Sequence, residues 1–119
     1  MTLRKSNPAF LNGVPEMLVL KLLAERAMHG YDLVQAIKAG SRERLAFGEG
    51  CIYPILHRLE AEGLLKSSKE EVNGRVRVVY RATARGKARV AETVSNWRQV
   101  VSSINRVLEG EGHGRAALA

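Results

Sequence analysis

Residues 50–63 read GCIYPILHRLEAEG and residues 65–81 read LKSSKEEVNGRVRVVYR, and the fold turns on the change of period between them. In the first stretch Ile52, Ile55, Leu56 and Leu59 recur at three and four residues, so they share one face of a helix that Gly63 ends. Gly48-Glu49-Gly50 opens this helix, and Pro54 is expected in its first turn, where a missing N–H costs no hydrogen bond. In the second stretch the apolar residues alternate. Val76, Val78 and Tyr80 fall on one face of an extended run from Arg75 to Arg81, preceded by a run from Leu65 to Glu71. Asn73-Gly74 between the two runs is a strong hairpin signal, because both residue types tolerate positive φ.

Upstream, Pro15 suits a first helical position, and Leu18, Val19, Leu22 and Leu23 repeat at helical spacing, which predicts a first helix running to Met28. His29-Gly30 interrupts it. Leu33, Val34 and Ile37 then define a second helix, with Gly40 expected as its C-terminal cap. Downstream of the hairpin, Thr83 can cap a last helix whose apolar positions Val90, Val94, Trp97, Val101, Ile104 and Leu108 are spaced as an a/d heptad seam. So regular a seam in so short a chain predicts a second copy as its partner. The expected organisation is an N-terminal arm over 1–12, a domain over 13–82, a dimerisation helix over 83–109 and a Gly-rich disordered tail over 110–119.

Composition narrows the function. The 119 residues carry 19 Lys+Arg against 12 Asp+Glu, a net charge of +7. The excess is spread over the chain, at +2 for residues 1–50, +2 for 51–82 and +3 for 83–119, so no basic tail explains it. One window stands out: Arg75, Arg77, Arg81, Arg85, Lys87 and Arg89 occur without an intervening acidic residue. Such a field attracts polyanions, although basic residues also solvate strands and helix starts. The longest apolar run, from Met17 to Ala24, is broken by Lys21 and falls far short of a membrane span. No apolar segment follows Arg4 and Lys5 as a secretory signal would require, which predicts a cytoplasmic protein. The single Cys51 makes neither an internal disulfide nor, by itself, a zinc site.

Three short helices followed by a hairpin with a basic turn is the element order of a winged helix-turn-helix, in which the third helix enters the major groove. With Ile52, Ile55, Leu56 and Leu59 facing the core, Cys51, Tyr53, Pro54, His57 and Arg58 lie on or near the free face. Arg58 can pair with guanine through two nitrogens. Tyr53 and His57 can reach phosphates or base edges, and Tyr53 is also well placed as a wedge between helices. Arg75 and Arg77, just beyond Gly74, would lie against the DNA backbone, where positive charge is rewarded whatever the sequence.

These residues resemble the PadR-like family of transcriptional regulators. The matching motifs are His29-Gly30-Tyr31, Ile52-Tyr53-Pro54-Ile55-Leu56-His57-Arg58-Leu59-Glu60, Gly63-Leu64-Leu65, and Tyr80-Arg81-Ala82-Thr83 with Gly86, together covering roughly residues 13–108. The single C-terminal helix is similar to the family's shorter subgroup. The chain departs from the pattern at Cys51, where a hydroxyl residue is common, and at Ala82, where Leu is. The resemblance implies a mainly α winged helix-turn-helix with a small β-hairpin, acting as a homodimeric repressor on a palindromic promoter site. It also implies release by a small, often aromatic molecule near the dimer interface. The DNA-facing set is then Tyr31, Cys51, Tyr53, Pro54, His57, Arg58, Arg75, Arg77 and Arg81. Trp97 is the residue expected either to pack in the dimer seam or to stack on the effector.

Other readings make different demands. Cys51 and His57 are six residues apart on different faces of one helix, which argues against nucleophilic catalysis. His29, His57 and His113 are scattered without metal-ligand spacing, so neither metal nor cofactor is expected. Cys51 near a helix start is either a redox-responsive thiol against DNA or a buried inert one. A winged helix serving as a protein-interaction module, the rival from another class, would call for a neutral or acidic recognition face, which Arg58, Arg75, Arg77 and Arg81 contradict.

Overall fold

The computed structural model describes residues 13–110, so the expected arm over 1–12 and, apart from Gly110, the expected tail over 110–119 lie outside the described residues. The elements are α1 (Val14–Glu25), α2 (Gly30–Gly40), α3 (Glu49–Ala61), β1 (Leu65–Val72), β2 (Arg75–Ala82) and α4 (Ala84–Leu108). This is a mainly α winged helix-turn-helix with one antiparallel hairpin followed by a long helix.

α1 is the central helix. Val14, Met17, Val19, Leu20 and Leu23 are all buried, so apolar surface runs most of the way round it, as suits a helix covered by neighbours on several sides. It stops at Glu25, short of the Met28 expected. Arg26 is extended, and Met28 instead pairs with β2, its N–H donating to the Tyr80 carbonyl at 3.0 Å and its carbonyl accepting from the Tyr80 N–H at 2.8 Å. A strand edge thus takes backbone groups that a longer helix would have used, and the buried Met28 side chain joins the core.

α2 contributes Leu33 and Ile37 to that core. Gly40 is its last helical residue rather than its cap. The left-handed turn that follows is made by Arg42 and Glu43, at φ 55° and 64°, and Ser41 Oγ stabilises it by accepting from the Leu45 N–H at 3.0 Å. α3 buries Ile52, Leu56 and Leu59 completely. Pro54 sits in its second turn, not its first. The hydrogen bond it forgoes would run to the Gly50 carbonyl, and both residues are on the exposed side, where water can satisfy that oxygen.

The hairpin register pairs Leu65 with Ala82 and Val72 with Arg75 around Asn73-Gly74, whose φ values of 53° and 77° are both in the left-handed region. Only its base enters the core. Leu65, Tyr80 and Ala82 are buried there, while Val76 and Val78 are exposed, so the expected apolar face does not continue to the tip. Val79, on the arginine face by alternation, is buried instead. The wing projects beyond the helices that would have covered its outer half.

The start of α4 is tied to the exit of α3. Thr83 Oγ1 accepts from the Gly86 N–H at 3.1 Å and donates to the Gly63 carbonyl at 2.8 Å, while the Thr83 N–H donates to the Leu64 carbonyl at 3.0 Å. Arg85 adds a bond to the Glu62 carbonyl at 3.0 Å. Gly86 lies so close to the Leu64 carbonyl that a methyl group there would overlap the oxygen.

The heptad seam divides between two uses. Val90 is 4% exposed and belongs to the core of its own chain, so it is not free for an interface, while Val94 packs half-buried against the same core. The cause is length: α1 spans about 18 Å against about 37 Å for α4, so α1 covers only the near part of the seam. Beyond it Trp97 is 40%, Ile104 50% and Leu108 76% exposed, with Val101 half-buried. Val100 and Val107, outside the seam, are exposed as well.

Replacing Gly86 with Ala should cost about 1–3 kcal/mol in urea denaturation, since either the Leu64 carbonyl or the helix start must move. Gly40→Ala, which meets nothing within 4 Å, should be neutral or stabilising by up to about 1 kcal/mol. Burial holds the Tyr80 phenol above its ordinary ionisation range, with Glu60 and Tyr53 adding to the effect. The folded state therefore favours the protonated phenol, and this contribution is fully present below about pH 10 and lost as pH rises through the higher folded value. Urea midpoints of the wild type should fall more steeply above pH 10 than those of Tyr80→Phe.

Candidate nucleic-acid interface

With Ile52, Leu56 and Leu59 turned into the core, α3 leaves Cys51, Pro54, His57 and Arg58 exposed. Cys51 is in the first turn and exposed, so the buried, inert thiol is not what the chain contains. Tyr53 takes the wedge position. Its ring packs over Gly30, where an added Cβ would lie within 2.7 Å of Cζ, Cε1 and Oη, and the side chain is half-buried. That contact explains the glycine of the His29-Gly30-Tyr31 motif: only a residue without a side chain lets α2 begin directly under the ring of α3.

Tyr53, His57, His29, Tyr31, Arg77, Val78 and Tyr80 together line a cleft of ≈ 410 Å³ between the start of α2, α3 and the wing. The Tyr53 and His57 rings lie 6.4 Å apart, tilted by 42°. Tyr31 is 54% exposed at the cleft's edge. Arg77 reaches across it, its Nη1 2.9 Å from His29 Nε2. Arginine only donates, so this contact is a hydrogen bond when Nε2 is unprotonated. The same Nε2 is 3.2 Å from Asp32 Oδ2, a contact in which a protonated imidazole would donate. Arg75, beside the turn, and Arg81, nearer the base, are both exposed. Tyr31, Tyr53, His57 and Arg77 are thus brought together, with Arg75 and Arg81 further along the same wing.

Arg58 is placed differently from expectation. Its Nη2 is 2.8 Å from Glu16 Oε1 on α1, and its Nη1 is 3.6 Å from Oε2 of Glu62, the residue that caps the C-terminus of α3. The hydrogen bond to Glu16, followed by the attraction of that carboxylate, raises the guanidinium above its ordinary value. The Arg58–Glu62 pair has the i,i+4 spacing legible in sequence, but Glu16 lies 42 positions away and carried no sequence signal. His29 as the partner of Arg77 was likewise missed, although both residues had been singled out separately.

Trp97 lies away from this surface. It shares a groove of ≈ 270 Å³ with Val14 and Met17 of α1 and Val100 of α4. A larger groove of ≈ 860 Å³ follows another flank of α4, where Lys21, Lys87, Arg98 and Arg106 accompany Val90 and Val94. Among the described residues no three or more His, Cys, Asp or Glu side chains are grouped so as to hold a metal ion, and no helix is long and apolar enough to cross a membrane.

The chain is similar to known proteins over most of its length. The chain is 38% identical over 105 residues to Transcriptional regulator Rv3488 of Mycobacterium tuberculosis, a match covering 87% of this chain and 92% of the relative. Among solved structures, a PadR-like transcriptional regulator from Bacillus cereus superposes with a TM-score of 0.76 at 28% identity, covering 87% of this chain and all of the other. A transcriptional regulator from Clostridium thermocellum gives a TM-score of 0.76 at 26% identity, covering 83% and 97%. Residues 19–92, which include α2, α3 and the whole wing, match the model of the transcriptional regulator PadR-like family, and the chain belongs to that family.

Proposed function

We propose that this PadR-family regulator is a cytoplasmic homodimeric repressor that binds a palindromic promoter site and is released by a small, aromatic ligand. The observation that carries the DNA reading is the basic wing, with Arg75, Arg77 and Arg81 exposed beside the free face of α3. On this reading the domain over 13–82 binds DNA and the helix over 83–109 joins two copies. α3 reads base edges through His57 and Arg58 while the wing holds phosphates, so sequence preference and general affinity come from different elements.

The far half of α4 supports the dimer. Trp97, Ile104 and Leu108, with Val100 and Val107 beside them, leave a run of large apolar side chains exposed along a single helix. A second copy of the same helix offers a matching apolar stripe. The ligand reading rests on Trp97, whose indole is partly exposed in a groove at the edge of that stripe and so can stack on a planar molecule. The exposed thiol of Cys51 favours a second form of the same function, in which oxidation at the start of α3 alters DNA binding.

Selection of binding sites from fragmented genomic DNA of the source organism, at near-physiological salt with excess competitor, tests the central claim. Enriched inverted repeats with half-sites about 34–36 Å apart, or multiples of that spacing, are the expected outcome. Salt-labile binding without enrichment would instead favour a protein partner for α3. Arg77→Ala should weaken binding to all duplexes and flatten the salt dependence by about one charge. In light scattering, Ile104→Asp should convert a dimer to a monomer while the midpoint of a dilute, monomeric sample is unchanged. A variant of unaltered size would remove α4 from the interface. Planar aromatic acids should quench or shift Trp97 fluorescence, and an unresponsive indole across a broad panel would count against the ligand site.

A further inference from the structure

Arg58 is the one arginine on the exposed side of α3, and the structure does not leave it free to meet DNA. Each of its two terminal nitrogens faces a carboxylate, Nη2 that of Glu16 and Nη1 that of Glu62. Those are nitrogens a guanidinium presents to O6 and N7 of guanine. Glu62 is a near neighbour at the C-terminal cap of the same helix, at a loose 3.6 Å. Glu16 comes from the first turn of a different helix, is the closer at 2.8 Å, and is itself only partly exposed, at 31% of its side chain. A carboxylate beside a DNA-facing helix also repels phosphate, so its presence there calls for a compensating use.

We propose that Glu16 is a specificity-determining residue, a latch that keeps Arg58 from spending its charge on DNA of the wrong sequence. This rests on the reading of α3 as the DNA-facing helix. A phosphate met in passing offers Arg58 little more than Glu16 already provides, so on non-cognate DNA the pair stays closed. A guanine in register offers two acceptors in the plane of the guanidinium fork, and only that geometry replaces the carboxylates without loss. Exposed pairs of this kind are weak, with a strength that corresponds to between about 1.4-fold and 5-fold in an equilibrium constant. That is strong enough to bias Arg58 and weak enough for a good base contact to release it.

The test is a double-mutant cycle on the full chain, measured by fluorescence anisotropy with a labelled random-sequence 30-base-pair duplex across a salt series. Glu16→Gln should bind this duplex about 2- to 5-fold more tightly than wild type, because Arg58 becomes available to phosphates. Its plot of log affinity against log salt should steepen by about 0.9, the value for one further neutralised phosphate. In an Arg58→Ala background, Glu16→Gln should leave the salt slope unchanged and give only the smaller gain that comes from removing a repulsive charge. Equal gains in both backgrounds would reduce Glu16 to a distant repulsive charge and overturn the latch. Unchanged binding would show that Glu16 does not compete with DNA. Weaker binding by Glu16→Gln would show that Glu16 aims Arg58 at DNA, which also overturns the proposal. If wild type and all variants fail to bind any duplex even at low salt, the DNA-facing role of α3 falls, and the latch with it.

Discussion

The orientation of every functional element depends on the junction at which the Gly63 and Leu64 carbonyls receive the start of α4. Thr83 caps its own helix through the Gly86 N–H and, with the same hydroxyl, grips the carbonyl of the residue that ends α3. Gly86 brings the helix backbone against Leu64 with no side chain between them. Three short helices would pack into a small core in several ways. Closing the hairpin onto the end of α3, and α4 onto the hairpin, sets which face of α3 is buried and which is offered outward. The arrangement uses backbone carbonyls as its anchor points, so it tolerates variation in the surrounding apolar residues, among them Ala82 within it.

Much of this was legible because local chemistry and the global fold agree. Asn73-Gly74 demands positive φ at two successive residues, and a hairpin turn provides it; Ile52, Leu56 and Leu59 demand a buried stripe, and α3 provides it. The misreadings have a common physical origin in contacts that join distant residues. Met28 continues the helical pattern of α1, but its backbone is claimed by Tyr80, more than fifty positions later. Val76 and Val78 alternate as core residues do, yet both stay exposed on the outer wing. Val90 and Val94 fit the heptad seam, and the near part of that seam is taken by α1. Periodicity says that a face is apolar without saying which neighbour will cover it.

The recognition surface shows the same limit more sharply. Residue types and spacing identified the basic wing and the exposed side of α3, and these are adjacent in space. They did not reveal that its arginines come already engaged, Arg77 with His29 and Arg58 with Glu16. Those pairings tie the wing to the start of α2, where the sequence had already placed Tyr31, and they join α3 to α1, which it had not. The first turn of α1 is a meeting point in particular: Glu16 holds the recognition arginine while Val14 and Met17, within the same turn, wall the groove beside Trp97.

The rigid seat of α4 also makes that helix a lever. α4 runs about 37 Å from its seat at Gly86, its near part packed along α1 and only its far part extending beyond the domain. In a pair of chains joined along the far part, a pivot of roughly 10° at the joined ends would carry each domain through about 6 Å, close to two base-pair steps of about 3.4 Å. A molecule lodged beside Trp97 would therefore need to push by only a fraction of its own width to take two recognition helices out of step with the turns of a duplex.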